Sequence, residues 1–227
     1  MSLLKPVVIL YHADCLDGFG GAFAAWKHFG EDASYIAVRH NEPPPAGLEQ
    51  KEIYVIDFSY PKDTLLALEQ NAKRLVVLDH HIGTKDAVEA VKEHTFDNNR
   101  SGAGIAWEYF HPVMPPPRLI RYIQDNDLWK RALPDNEQVA AYLTTAPFDF
   151  TAWDKLLARF ESDKEFKNII AIGSAYAEYF DYVVGHLKQF ADIVNFEGHN
   201  IFAVNAPRLF RSELGNQLAK ERAPFAI

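Results

Sequence analysis

A mixed α/β fold built on a parallel sheet is predicted by two features of the sequence. Short β-branched runs alternate with helical patterns across the first half of the chain, and from Ser101 onward the pattern becomes almost wholly helical. Residues 6–12 (PVVILYH) read as a buried strand, followed by a small-residue helix over 18–30. A second strand is predicted at 34–38 (SYIAV), then an irregular stretch, NEPPPAG, whose prolines exclude a helix. EIYVIDFS (52–59) reads as the third strand, and Pro61 suits the first position of a helix running to about Asn71. RLVVLDHH (74–81) is the fourth strand, with a helix predicted from about Thr84 to Glu93. Crossovers between parallel strands are right-handed, so the loops leaving the strand C-termini open on one edge, with helices on both faces.

Beyond Ser101, the segments SGAGIAWEYF, RLIRYIQDNDLW, EQVAAYLTT and FTAWDKLLARF read as successive helices. A long helix is predicted over roughly 162–194, with Ile169, Ile172, Tyr176, Phe180, Val183 and Leu187 near helical spacing. IFAVNA (201–206) reads as a strand, SELGNQLAKE (212–221) as a helix, and APFAI as the beginning of another strand. The expected organisation is a catalytic domain over 1–160, a helical connector over 161–195, and an incomplete small α/β domain over 196–227. A strand that begins where the sequence stops suggests that this last unit is cut short.

The 227 residues are 48% hydrophobic and 24% charged, enough for a full core without staples. Cys15 is the lone cysteine, which excludes an intrachain disulfide and suits a reducing compartment such as the cytoplasm. No apolar run has the length of a membrane span, so no membrane partner is expected. The net charge of −8, without a basic stripe, argues against long nucleic acid as a partner. A small phosphorylated substrate remains compatible, because bound cations supply positive charge locally.

Acids and imidazoles gather where a parallel sheet exposes its strand ends. His12 ends the first strand, with Asp14 and Asp17 just behind it; Asp57 ends the third; Asp79, His80 and His81 end the fourth; Asp125 and Asp127 follow in QDNDLW. One acid after a strand is commonly a helix cap, and a lone His-His pair is commonly a surface accident. Several at equivalent strand ends point to a site. Carboxylates with imidazoles suit Mn²⁺ foremost, with Mg²⁺ or Zn²⁺ as alternatives, and the absence of thiolate clusters disfavours structural zinc. Two such cations can activate a water for in-line phosphoryl displacement, and Asp57, alone at a central strand end, is the candidate bridge between them. His28, His40, His94, His111, His186 and His199 show no such pattern, and Trp107, Trp129 and Trp153 read as core. Asn98, Asn99, Arg100, Ser101 and Gly102 form a small-residue helix start. Its N–H groups would either cradle a phosphate, with Arg100 assisting, or belong to a helix that Ser101 simply caps.

The triplet Asp79-His80-His81 is the signature after which the DHH phosphoesterase superfamily is named, and the chain resembles that superfamily over roughly residues 6–160. YHADCLDGFGGAFAAW looks like its first motif, VIDFS like its second and QDNDLW like its fourth. The resemblance implies one ion held by His12, a first-motif acid and Asp57, and a second held by Asp17, Asp57, His80 and a fourth-motif aspartate. Asp125, four residues before Trp129, is preferred for the last place, with Asp127 the alternative. His81 would lie beside the substrate phosphate, and Asp79 would orient an imidazole from behind. Two departures stand out. Asp14 and Asp17 are spaced D-x-x-D where the family often has D-x-D, so Asp14 or Cys15 is open for the first ion. No glycine-rich GGGH-like motif of the family's C-terminal domain is present. The expected activity is two-cation hydrolysis of a phosphodiester or phosphoanhydride in a small nucleotide-type substrate, by Asp57, His80 and His81. The rivals are a non-catalytic nucleotide- or metal-binding module and a single-strand exonuclease. Homo-oligomerisation is left open.

Overall fold

The computed structural model describes residues 4–227. Five parallel strands, β1 (Val7–His12), β2 (Ala33–Val38), β3 (Glu52–Ile56), β4 (Arg74–Asp79) and β5 (Glu93–Phe96), form one sheet in the order β2-β1-β3-β4-β5. The α/β class read from the sequence is thus the class observed. The chain leaves β1 toward β2, then returns to build the remaining strands on the other side of β1. Loops therefore diverge at the carboxyl ends of β1 and β3, which is where open α/β sheets bind ligands.

Side chains alternate between the two faces of the sheet and both faces are covered, which is why β1, β3 and β4 are buried at consecutive positions and read as nearly continuous apolar runs. Ile9, Ile56 and Leu78 face a large aromatic core with Phe19, Phe23 and Trp153. Helices α1 (Leu16–Phe29), α4 (Gly102–Phe110), α5 (Arg118–Asp127), α6 (Asn136–Leu143) and α7 (Phe150–Glu161) build that side. Val8, Leu10, Val55 and Val77 face the opposite core with Leu65 and Val88, from the short helices α2 (Lys62–Asn71) and α3 (Lys85–Val88).

Two expectations need correction. The helix expected over 84–93 shrinks to a 3₁₀ turn, Ile82–Thr84, and the four residues of α3, because Glu93–Phe96 pairs with β4 as an edge strand. The sequence EHTF is polar on an exposed edge, so it lacks the apolar signature of the other four strands. The long helix α8 (Asp163–Leu187) also ends sooner than expected, and Asp192–Phe196 forms strand β6 instead. It pairs antiparallel with β7 (His199–Ala203) across Glu197 and Gly198, both at positive φ, the conformation a two-residue hairpin demands.

Helix α8 belongs to both halves of the molecule. Ile169 is buried in the aromatic core, whereas Val184 is buried with Leu214 and Leu218 of α9 (Arg211–Glu221) under the β6–β7 hairpin. The last residues run beside β7: Ile227 N–H donates to Phe202 O at 2.9 Å. Among the described residues, no helix is long and apolar enough to cross a membrane. At Gly173 the α8 backbone meets α6 so closely that a Cβ would stand 2.0 Å from the Gln138 carbonyl oxygen. Gly173→Ala is therefore expected to push α8 off α6 and cost about 1–3 kcal/mol, read by urea denaturation; unchanged stability would show that the crossing tolerates expansion.

Candidate metal centre at the strand ends

His12 closes β1, and Asp57 follows β3 directly. Asp57 sits at φ +64°, a left-handed conformation that aspartate tolerates better than most residues. Its N–H still bonds to Leu78 O at 2.9 Å, so the sheet continues while the side chain turns into the opening between β1 and β3. Asp17 comes from the first turn of α1 and is 1% exposed. Its Oδ2 accepts from Gly102 N–H at 2.6 Å and its Oδ1 from Ala103 N–H at 3.1 Å, so the positive end of α4 anchors this carboxylate. A Cβ on Gly102 would lie 2.5 Å from Asp57 Cβ, so glycine is required where α4 abuts the two acids.

His80 stands at the centre. Its Nε2 lies 3.2 Å from Asp57 Oδ1, 3.5 Å from Asp127 Oδ2 and 3.8 Å from Asp17 Oδ2. On the other side of Asp57, His12 Nδ1 is 3.6 Å from Oδ2, a buried atom with no hydrogen-bond partner. Three groups of donors converge closely enough to share a cation: His12, Cys15 and Asp57; Asp57, His80 and His81; Asp17, His80 and Asp127. Asp57 and His80 each belong to two of them. Buried carboxylates packed together, with one oxygen orphaned near an imidazole, are chemically incomplete without positive charge, so the donor set fits divalent cations.

The electrostatics agree. Burial raises the Asp17 carboxyl well above its usual range, and the neighbouring charges of Asp57 and Asp127 raise it further. Burial and then Asp57 push Asp127 up to about 6. Burial acts on Asp57 in the same direction, but the neighbouring His12 and His80 imidazoles, and Asp17 beside them, overcome it and hold that carboxyl below the ordinary range. Burial, ahead of Asp57 and Asp17, drives the Cys15 thiol upward. Asp79, fully buried, takes no place in these groups. Its Oδ1 holds His81 Nδ1 at 2.8 Å and accepts from His80 N–H at 2.8 Å, while Oδ2 accepts from Thr84 Oγ1 at 2.6 Å. That contact raises the His81 imidazole to about 9 against the opposing effect of burial.

Several expected residues sit elsewhere. Asp125, preferred as a ligand, is a loop organiser: its oxygens accept from Ala132 N–H (3.1 Å), Leu133 N–H (3.0 Å) and Asn136 Nδ2 (2.8 Å). Asp127, two residues on and therefore on another face of α5, is the one beside His80. Asp14, at φ +54°, turns its carboxylate to Arg39 (3.1 Å) and Arg208 (3.8 Å), leaving Cys15 nearer His12 and Asp57. Arg100 pairs with Asp97 and Glu108 and does not assist a phosphate. Ser101 caps α4 by accepting from Gly104 N–H, and its own N–H is taken by Gln124. With Gly102 and Ala103 bound to Asp17, this helix start anchors the acids and has no free N–H cradle. Trp129, expected in the core, is 47% exposed.

A cavity of about 710 Å³ opens over the cluster, walled by His12, Asp57, His81, Asp127, Arg208 and Arg211. Arg208 comes from the segment between β7 and α9, and Arg211 opens α9. Nothing local in RLFRSELG marks them; only the fold-back of the C-terminal segment brings them here. Nothing in the sequence around His40 signals that its ring centroid lies 4.4 Å from that of His12.

The division of labour between Asp125 and Asp127 is testable by substitution. Asp125→Ala should cost about 2–4 kcal/mol by leaving loop donors unpaired, with Mn²⁺ stoichiometry unchanged. Asp127→Asn should retain stability and weaken Mn²⁺ binding about tenfold or more. Calorimetric titration and thermal melts read both, and the opposite pattern would restore Asp125 as the ligand.

No protein-family model matches the chain. "Uncharacterized protein R106" of Acanthamoeba polyphaga mimivirus is 29% identical over 232 residues, which cover 93% of this chain and 54% of that protein. The chain thus spans about half the length of this relative. Among solved structures, an uncharacterized protein from Helicobacter pylori G27 superposes with a TM-score of 0.51 at 12% identity, over 95% of this chain and 79% of that one. That likeness is one of fold.

Proposed function

We propose that the chain is a divalent-cation-dependent phosphoesterase of DHH type, hydrolysing a phosphodiester or phosphoanhydride in a small nucleotide-type substrate. The observation that carries the proposal is Asp57, a buried carboxylate shared by two groups of candidate ligands, with one oxygen facing His80 and the other unpartnered near His12. His12, Cys15 and Asp57 form one holding group and Asp17, His80 and Asp127 another; Asp57 also groups with His80 and His81, which links the two through His80. Cations held there, Mn²⁺ foremost, would supply a nucleophilic water at neutral pH and charge to offset that of the phosphoryl oxygens.

The remaining residues have roles that follow from their surroundings. His81 is fixed by Asp79 through Nδ1, so its Nε2 is the ring nitrogen left to donate to a phosphoryl or leaving-group oxygen. Arg208 and Arg211 give the cavity a cationic wall, and guanidinium matches phosphate oxygens in geometry as well as charge. The cavity is of small-ligand size, and the chain carries a net charge of −8, so long nucleic acid is a poor fit.

Metal-stripped protein resupplied with Mn²⁺ should hydrolyse bis-p-nitrophenyl phosphate, and Asp57→Ala should lower turnover at least about a thousandfold, as for loss of a principal charge-stabilising group. Mn²⁺ binding without turnover on any phosphoester would instead favour a non-catalytic binding module.

A further inference from the structure

Beside the candidate metal centre lies a second cavity of about 300 Å³, between the loop after α5, the helices α6 and α8, and the start of α9. Leu16 and Asp127 line both cavities, so the two are continuous. The larger carries Arg208 and Arg211; the smaller adds Ala177, Phe180 and Trp129, together with Arg131, Glu137, Asp181 and Glu213.

Trp129 is not placed there by chance of folding. It stands at φ +54° and Arg131 at φ +45°, conformations that cost of order 1 kcal/mol each for residues with side chains. Asp125 sustains them: besides its side-chain bonds, its carbonyl oxygen accepts from the N–H groups of Lys130 and Arg131 at 3.0 and 3.2 Å. The Arg131 guanidinium lies 4.4 Å from the centre of the Trp129 ring and is tied to Glu213 of α9 at 2.9 Å. A large aromatic ring is thereby fixed in orientation yet left 47% exposed.

We propose that this cavity is a binding pocket for a planar nitrogen heterocycle, the base of a nucleotide whose phosphate sits over the metal cluster, with Trp129 as its stacking platform. A fixed indole backed by a guanidinium is a surface on which bases of any identity stack. Glu137 and Asp181, also in the lining, form no ion pair with any described residue. As acceptors they suit the N–H edge of a base, and as anions they repel a second phosphate, so the substrate has one orientation. Phosphate goes to Arg208 and Arg211, and the base to Trp129. The pocket rests on the phosphoesterase proposal for its orientation, but its affinity for a base does not require the cations.

The test is calorimetric titration of adenosine 5′-monophosphate and ribose 5-phosphate, each in Mn²⁺ and in EDTA, into wild type, Trp129→Ala and Trp129→Phe. In wild type, adenosine 5′-monophosphate should bind at least about tenfold more tightly than ribose 5-phosphate, one to three kcal/mol being typical of a base on an aromatic. Trp129→Ala should reduce that ratio to within about twofold without changing affinity for ribose 5-phosphate, and Trp129→Phe should keep most of it. Equal affinity for the two ligands in wild type, or a ratio that Trp129→Ala leaves intact, would overturn the pocket. A ratio dependent on Trp129 in EDTA, with no Mn²⁺ bound in any condition, would support the pocket while removing the metal centre.

Discussion

Three carboxylates, those of Asp17, Asp57 and Asp127, converge on the single imidazole of His80 at the carboxyl edge of a buried hydrophobic sheet. Bringing like charges together away from water is unfavourable, and the surrounding fold is arranged to sustain it. The amino end of α4 points its N–H groups at Asp17, and the β3 backbone bends into a left-handed residue to aim Asp57. Gly102 supplies the clearance that lets α4 come so close. Asp79 stands behind the cluster and fixes His81. These features cost conformational freedom or strain, and they are intelligible together as support for a site that binds positive charge.

The sheet topology explains why the site lies here. Strands β1 and β3 are neighbours whose following loops leave in opposite directions, so their ends bound an open crevice. Helix α1 begins at that crevice and α4 returns to it, which brings residues far apart in sequence to one place. The C-terminal segment closes the crevice from above. Its contribution is electrostatic as much as steric, since Arg208 and Arg211 balance a wall otherwise rich in acids.

Much of this was legible in the sequence because strand ends are legible. A β-branched run followed by an acid or histidine locates His12, Asp57 and Asp79–His81 along the chain, and the parallel sheet then places them on one edge. Helical residues are harder. Asp125 and Asp127 have the same chemistry two positions apart, and only the loop that folds back onto Asp125 decides which faces the cluster. Asp14 was ambiguous for a similar reason: a positive-φ turn sends its carboxylate to Arg39. Trp129 reads as core because size and apolarity are all that the sequence reveals of it; its exposure goes with a turn in which its own N–H bonds to Asn126 and those of Lys130 and Arg131 bond to Asp125. The edge strand β5 escaped notice because exposure on an edge removes the apolar alternation that marks a strand.

The central claim is that Asp57 joins two cation positions, and anomalous diffraction from Mn²⁺-soaked crystals tests it most directly. The account requires two manganese peaks about 3.5–4 Å apart, with Asp57 between them, His12 on one side and His80 on the other. A single peak, or two peaks without Asp57 in contact with both, would contradict it.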